Sequence, residues 1–158
     1  ADKILNYFEP QGGVSGKTLA LWGLSFKANT DDIRESAALE TIRILTDAGM
    51  KIRAYDPEAG TNASQALAEN PLVTIAADQY SPIEGAEALA VMTDWNQFRN
   101  PDFDRIKTML RAPIIFDGRN LYSATFLADK GFAYFGIGRP GKLEAQTAID
   151  PGKPDKVQ

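Results

Sequence analysis

The chain of 158 residues contains no cysteine and no histidine. The first absence excludes disulfides, thiolate metal sites and a cysteine nucleophile. The second removes the commonest general base near neutral pH and the commonest zinc ligand, leaving proton transfer to carboxylates, lysine and tyrosine. No catalytic residue and no metal site is therefore assigned. No apolar run reaches the roughly 20 residues that a membrane-spanning helix needs, so no membrane association is expected. The first ten residues carry Asp2, Lys3 and Glu9, unlike a secretion signal, and the expected location is the cytoplasm. An excess of positive charge is missing too: 17 Lys and Arg face 21 Asp and Glu, a net charge of −4. With the basic residues scattered, a nucleic-acid partner is not expected. Any anion must be held locally, by a few cations and backbone N–H groups.

What is present is ordinary for a soluble domain: 44% hydrophobic and 24% charged residues, in a length that suits one compact core. Residues 1–8 place Ile4, Leu5 and Phe8 on one helical face without a visible N-cap, as if a longer helix ended here. Residues 9–16 are a breaker-rich connector. Short apolar runs then alternate with amphipathic stretches. Strands are predicted at 17–23, 51–56, 73–76, 88–93, 114–117 and 132–135. Helices are predicted at 36–49, 62–69, 102–110 and 123–130, with a helical turn at 79–85. The helix at 36–49 has Ser36 as its N-cap and Gly49 at its end. This alternation predicts an α/β fold: a Rossmann-like, doubly wound, mostly parallel sheet of about six strands with helices on both faces. Three parts follow: residues 1–15 as the end of a preceding helix with its connector, 16–140 as the Rossmann-like domain, and 141–158 as a loose tail rich in Gly, Pro, Lys and Asp.

Ligands of such sheets sit outside the carboxyl ends of the strands. The segment after strand one reads GLSFKANTDDIRES, residues 23–36. It has glycine only at Gly23, where a dinucleotide-binding turn needs several, so it is not the usual nicotinamide cradle. It offers instead Phe26, Lys27 and Arg34: a ring to stack a base or ribose, and two cations for phosphate. The competing reading is a solvated loop in which Asp31, Asp32 and Glu35 pair with Lys27 and Arg34 while Phe26 enters the core. After strand five, Gly118 permits a sharp turn that would project Arg119 over the same edge. Opposed across that edge, Lys27 and Arg119 would make a diphosphate clamp. Trp95 and Phe98, in MTDWNQF, are expected to seal the end of strand four rather than touch a ligand. Asp56 ends strand two before Pro57 and is read as part of a simple turn, outside the site. A phosphatase-like use of Asp56 as nucleophile finds no support, because position 58 is Glu.

Taken in order, GLSFKANTDDIRES, YDP (55–57), MTDWNQF (92–98) and IFDGRNLY (115–122) resemble the C-terminal, UDP-binding domain of the UDP-glucose/GDP-mannose dehydrogenase family. The T-D-W and D-G-R-N pieces point to its UDP-glucose branch. The resemblance, over residues 3–138, implies an NAD-dependent oxidation of the sugar C6 alcohol, through aldehyde and thioester stages, to a uronic acid. It implies two further domains, an NAD-binding one and a central helical one with a catalytic cysteine, to which nothing here corresponds; on its own the chain should be inactive. Residue by residue, Phe26 and Lys27 would contact the nucleotide sugar, Arg119 would be the other UDP-phosphate contact, and Arg34 would reach toward NAD. A homodimer is implied for the complete enzyme, with this chain's own state left open. The alternatives are a self-contained nucleotide-binding or regulatory module, or the matching domain of a GDP-mannose or UDP-N-acetylmannosamine dehydrogenase.

Overall fold

The computed structural model describes residues 1–136; the tail expected at 141–158 lies outside them. Six strands form one sheet in the order β3-β2-β1-β4-β5-β6. They are β1 (Thr18–Trp22), β2 (Lys51–Tyr55), β3 (Val73–Ile75), β4 (Ala88–Val91), β5 (Ile114–Asp117) and β6 (Ala133–Gly136). Every neighbouring pair is parallel, so the six carboxyl ends share one edge. The order reverses between β1 and β4, the place where open α/β sheets form a crevice.

The helices are α1 (Asp2–Phe8), α2 (Ala37–Asp47), α3 (Gly60–Ala66), α4 (Asn96–Arg99), α5 (Phe103–Met109) and α6 (Ala124–Asp129), with 3-10 turns at Glu9–Gln11 and Ser81–Ile83. The two-residue period of a strand divides the core into two layers. Leu19, Leu21, Ile52, Ala90 and Phe116 face a cluster that includes Ile4, Phe8, Leu39, Ile42 and Leu45. Ala20, Trp22, Leu89, Val91 and Ile115 face the other way, onto Phe98, Ile106 and Leu127. β4 and β5, covered on both sides, are buried along their whole length, whereas β2 alternates. That difference is why β4 reads as an unbroken apolar run, β5 as one ended by Asp117, and β2 as KIRAY.

The predicted elements are present with ends shifted by a few residues. α3 begins at Gly60, ahead of the expected 62, and the turn at 79–85 tightens to Ser81–Ile83. α4 was not expected; it follows Trp95 and carries Phe98 under the sheet, stacked on Trp22 at 5.1 Å between centroids. No helix among the described residues is long and apolar enough to cross a membrane.

Candidate functional site

The site is built on the three central strands β1, β4 and β5, and its first element is the turn after β1. Gly23 has φ +101°, and a Cβ there would lie 2.2 Å from Thr93 Oγ1 and 2.7 Å from Thr93 N. Only glycine lets the β1 and β4 ends approach this closely. Its N–H donates to Tyr55 O at 2.8 Å, closing the turn toward β2.

Beyond it, Asp56 organises the loop. One carboxylate oxygen accepts from Leu24 N at 2.7 Å and Ser25 N at 3.1 Å, and the other from Glu58 N at 2.8 Å and Ala59 N at 2.7 Å. Asp56 is thus more than the end of a simple turn: buried, with both oxygens engaged, it ties the β1 and β2 loops together. Ser25 Oγ donates to Lys27 O at 2.6 Å and accepts from Trp95 Nε1 at 3.3 Å. Trp95 is buried as expected, and its indole also braces the loop that carries Lys27. Ser36 Oγ donates to Leu24 O at 2.8 Å while capping α2 through Leu39 N. Two non-glycine residues, Asn29 and Glu35, turn the loop through positive φ of 66° and 56°. The result holds Phe26 and Lys27 outward. Phe26 is 45% exposed, not tucked into the core, and Lys27 Nζ lies 5.8 Å from its ring centroid.

The turn after β5 is built around a second buried carboxylate. Asp117 accepts from Arg119 N at 2.9 Å through one oxygen, and from Tyr122 N at 3.0 Å and Tyr134 Oη at 2.6 Å through the other. Gly118 N donates to Val91 O at 2.8 Å, and Asn120 turns back at φ 58°. The turn that Gly118 permits is thus held by hydrogen bonds to Asp117, and it presents Arg119 at the edge. Tyr122 donates from its own hydroxyl to Phe98 O. Burial, then the neighbouring Asp117, Tyr134 and Tyr80, push its phenol well above the ordinary tyrosine range.

Lys27 and Arg119 meet on one cleft of about 750 Å³ at the carboxyl edge. Strands β1 and β5 are two positions apart in the sheet, so the loops that carry the two cations spring from points roughly 10 Å apart. The β4 loop supplies the floor, with Asp94, Asn96 and Arg99. Asp94 lies between two guanidiniums, 3.4 Å from Arg99 Nη2 and 4.0 Å from Arg119 Nη2. Sequence reasoning missed Arg99. It sits one position beyond MTDWNQF, and only the placing of β4 between β1 and β5 brings it in.

Arg34 stands apart. It lines a separate cleft with Thr30, Asp31, Asp32 and Asn62, on the α3 side. Its guanidinium grips Asp32 at 3.0 and 2.7 Å, the one pairing of the plain-loop reading that takes this form. That bidentate bond holds the Asp32 carboxyl down at about 2 and raises Arg34.

A six-stranded parallel sheet whose order reverses beside a cation-lined crevice defines a Rossmann-like α/β domain with a cationic rim. Residues 20–124 match the UDP-glucose/GDP-mannose dehydrogenase family, UDP binding domain, and the chain belongs to that family. It is 44% identical over 143 residues to UDP-glucose 6-dehydrogenase of Pseudomonas aeruginosa, covering 87% of this chain and 32% of that protein. Against UDP-glucose 6-dehydrogenase TuaD of Bacillus subtilis it is 39% identical over 155 residues, covering 97% of the chain and 32% of the relative. Among solved structures it superposes on a UDP-glucose dehydrogenase from Pyrobaculum islandicum with a TM-score of 0.66 and 28% identity, over 85% of the chain and 29% of that structure. The chain thus spans about 32% of the length of these two curated relatives.

Proposed function

We propose that this domain grips the diphosphate of a UDP-sugar, UDP-glucose first among them, while a complete NAD-dependent dehydrogenase oxidises the sugar to the uronic acid. The observation that carries the reading is the meeting of Lys27 and Arg119, from opposite halves of the sheet, on one cleft. Two cations on a rim formed by rigid strand ends suit a ligand with two adjacent phosphates, and the exposed Phe26 ring offers a face for the uracil or ribose. A grip remote from the reacting carbon keeps the sugar in register through two successive oxidations, since binding energy there is realised equally in every intermediate.

The β1 turn does not fit the pyrophosphate of NAD. The amides that a dinucleotide would need, Leu24 N and Ser25 N, already donate to the Asp56 carboxylate, which would also repel a phosphate. NAD chemistry is accordingly assigned to a region outside this cleft. Arg34, on its separate face, is the one residue here offered toward NAD, as a solvated guanidinium with Asp32 as its partner.

Titration calorimetry of the 158-residue chain with UDP, UDP-glucose and NAD tests this reading. UDP and UDP-glucose should bind and NAD should not. Lys27→Ala and Arg119→Ala should each weaken UDP-glucose about tenfold or more, because a charged hydrogen bond is worth roughly 1.5–3 kcal/mol. Preference for NAD, or unchanged affinity in both variants, overturns it.

A further inference from the structure

We propose that Arg99 is a third phosphate-directed cation and that Asp94 offsets part of the positive charge of the cleft, so that the cleft gains less from the extra charge of free UDP than its three cations alone would. This rests on the UDP-sugar reading above. The lining side chains comprise Lys27, Arg99 and Arg119, the single carboxylate Asp94, and the neutral Ala28, Asn29 and Asn96, leaving a net charge of +2. Behind them, the buried Asp56 and Asp117 carboxylates are engaged by backbone amides and hydroxyls of their own loops. A sugar nucleotide carries one ionised oxygen on each of its two phosphates, which matches that net charge. Free UDP ends in a phosphate monoester whose second proton leaves near pH ~6, so around neutrality it brings an additional negative charge.

The geometry makes Asp94 the group that senses this difference. At 3.4 and 4.0 Å its contacts to Arg99 and Arg119 are longer than firm charge-assisted bonds, so both guanidiniums can turn to a phosphate without leaving a tight ion pair. Asp94 then remains beside the bound diphosphate as a part-exposed like charge, which reduces what the cleft gains from the extra charge of the monoester. Arg99 is half-exposed on the last residue of α4, and Phe98, stacked beneath Trp22, anchors that short helix.

The two variants Asp94→Asn and Arg99→Gln move the balance in opposite directions. In calorimetry with UDP and UDP-glucose at one ionic strength, Asp94→Asn should raise the affinity for UDP relative to UDP-glucose by about three- to fivefold, the scale of an exposed charge pair. Arg99→Gln should weaken both ligands, UDP the more, by about the same factor, and Arg99→Lys should restore most of the loss. Circular dichroism identifies any variant that does not fold, and either of the two suffices to test the ratio. Equal changes for both ligands in Asp94→Asn would mean that Asp94 only braces the arginines, and this overturns the assignment, as do unchanged affinities in Arg99→Gln. Failure of wild-type chain to bind either ligand would instead strike the UDP-sugar reading itself.

Discussion

At Asp32 and Arg34 a single exposed pair has a measurable signature. The bidentate guanidinium stabilises the charged carboxylate, so the folded-state pKa falls from 3.8 to about 2. A depressed carboxylate contributes its stabilisation above the unfolded value and loses it as pH falls from 3.8 toward 2. An NMR titration of the Asp32 carboxyl should therefore find its midpoint near 2, and Arg34→Gln should return it to the ordinary aspartate range. A wild-type midpoint already in that range would show that the pair does not form in solution. At the same scale, the placing of Lys27 and Arg119 on one rim was legible, because both follow parallel strands of a single sheet. Asp56 was not. Its role is set by amides 31 and 32 positions away on another strand's loop, and local sequence shows only an acid before a proline.

Helices and strands were legible wherever a hydrophobic period ran long enough to read. α2 shows this best, with Ser36 capping its start and Ala38, Leu39, Ile42 and Leu45 buried along one side. α4, four residues long, has no period to show. α1, read as the end of a longer preceding helix, packs into the sheet's own core: Ile4 and Phe8 are 4% and 1% exposed. Its Tyr7 ring packs edge-on to Phe116 and Phe135 at 6.0 and 5.2 Å. Phe8→Ala should accordingly cost about 3–5 kcal/mol, the usual penalty for removing a fully buried ring, and lower the thermal midpoint of the whole domain. Affinity for UDP-glucose should hardly change, since α1 packs against the β5–β6 side of the sheet and not the Lys27 loop. Unaltered unfolding would mean that α1 stands outside the cooperative unit.

For the molecule as a whole, a net charge of −4 gives an anionic ligand no long-range attraction, so recognition depends on the local cationic rim. The chain also holds no cysteine, and the Asp56 carboxylate already takes the two amides after β1. Mixed with UDP-glucose and NAD, the purified chain should bind the sugar nucleotide yet form no NADH by absorbance, at any protein concentration. Turnover with host enzyme excluded would refute that division of labour. The fold class was legible at this scale because alternating strands and helices leave few chiral solutions. That Arg99 joins the cleft was not, because it depends on which strand lies between which.

That strand order also has a kinetic consequence. Lys27 belongs to the first wing of the sheet and Arg119 to the second, joined through β1 and β4. A nucleotide spanning both, as proposed, would act as a reversible rivet across the seam. Parting the wings must expel it, so saturating ligand should retard unfolding as well as shift its equilibrium. On that reading a chain with only one wing assembled would lack half of the grip, and occupancy would report that both wings are in place.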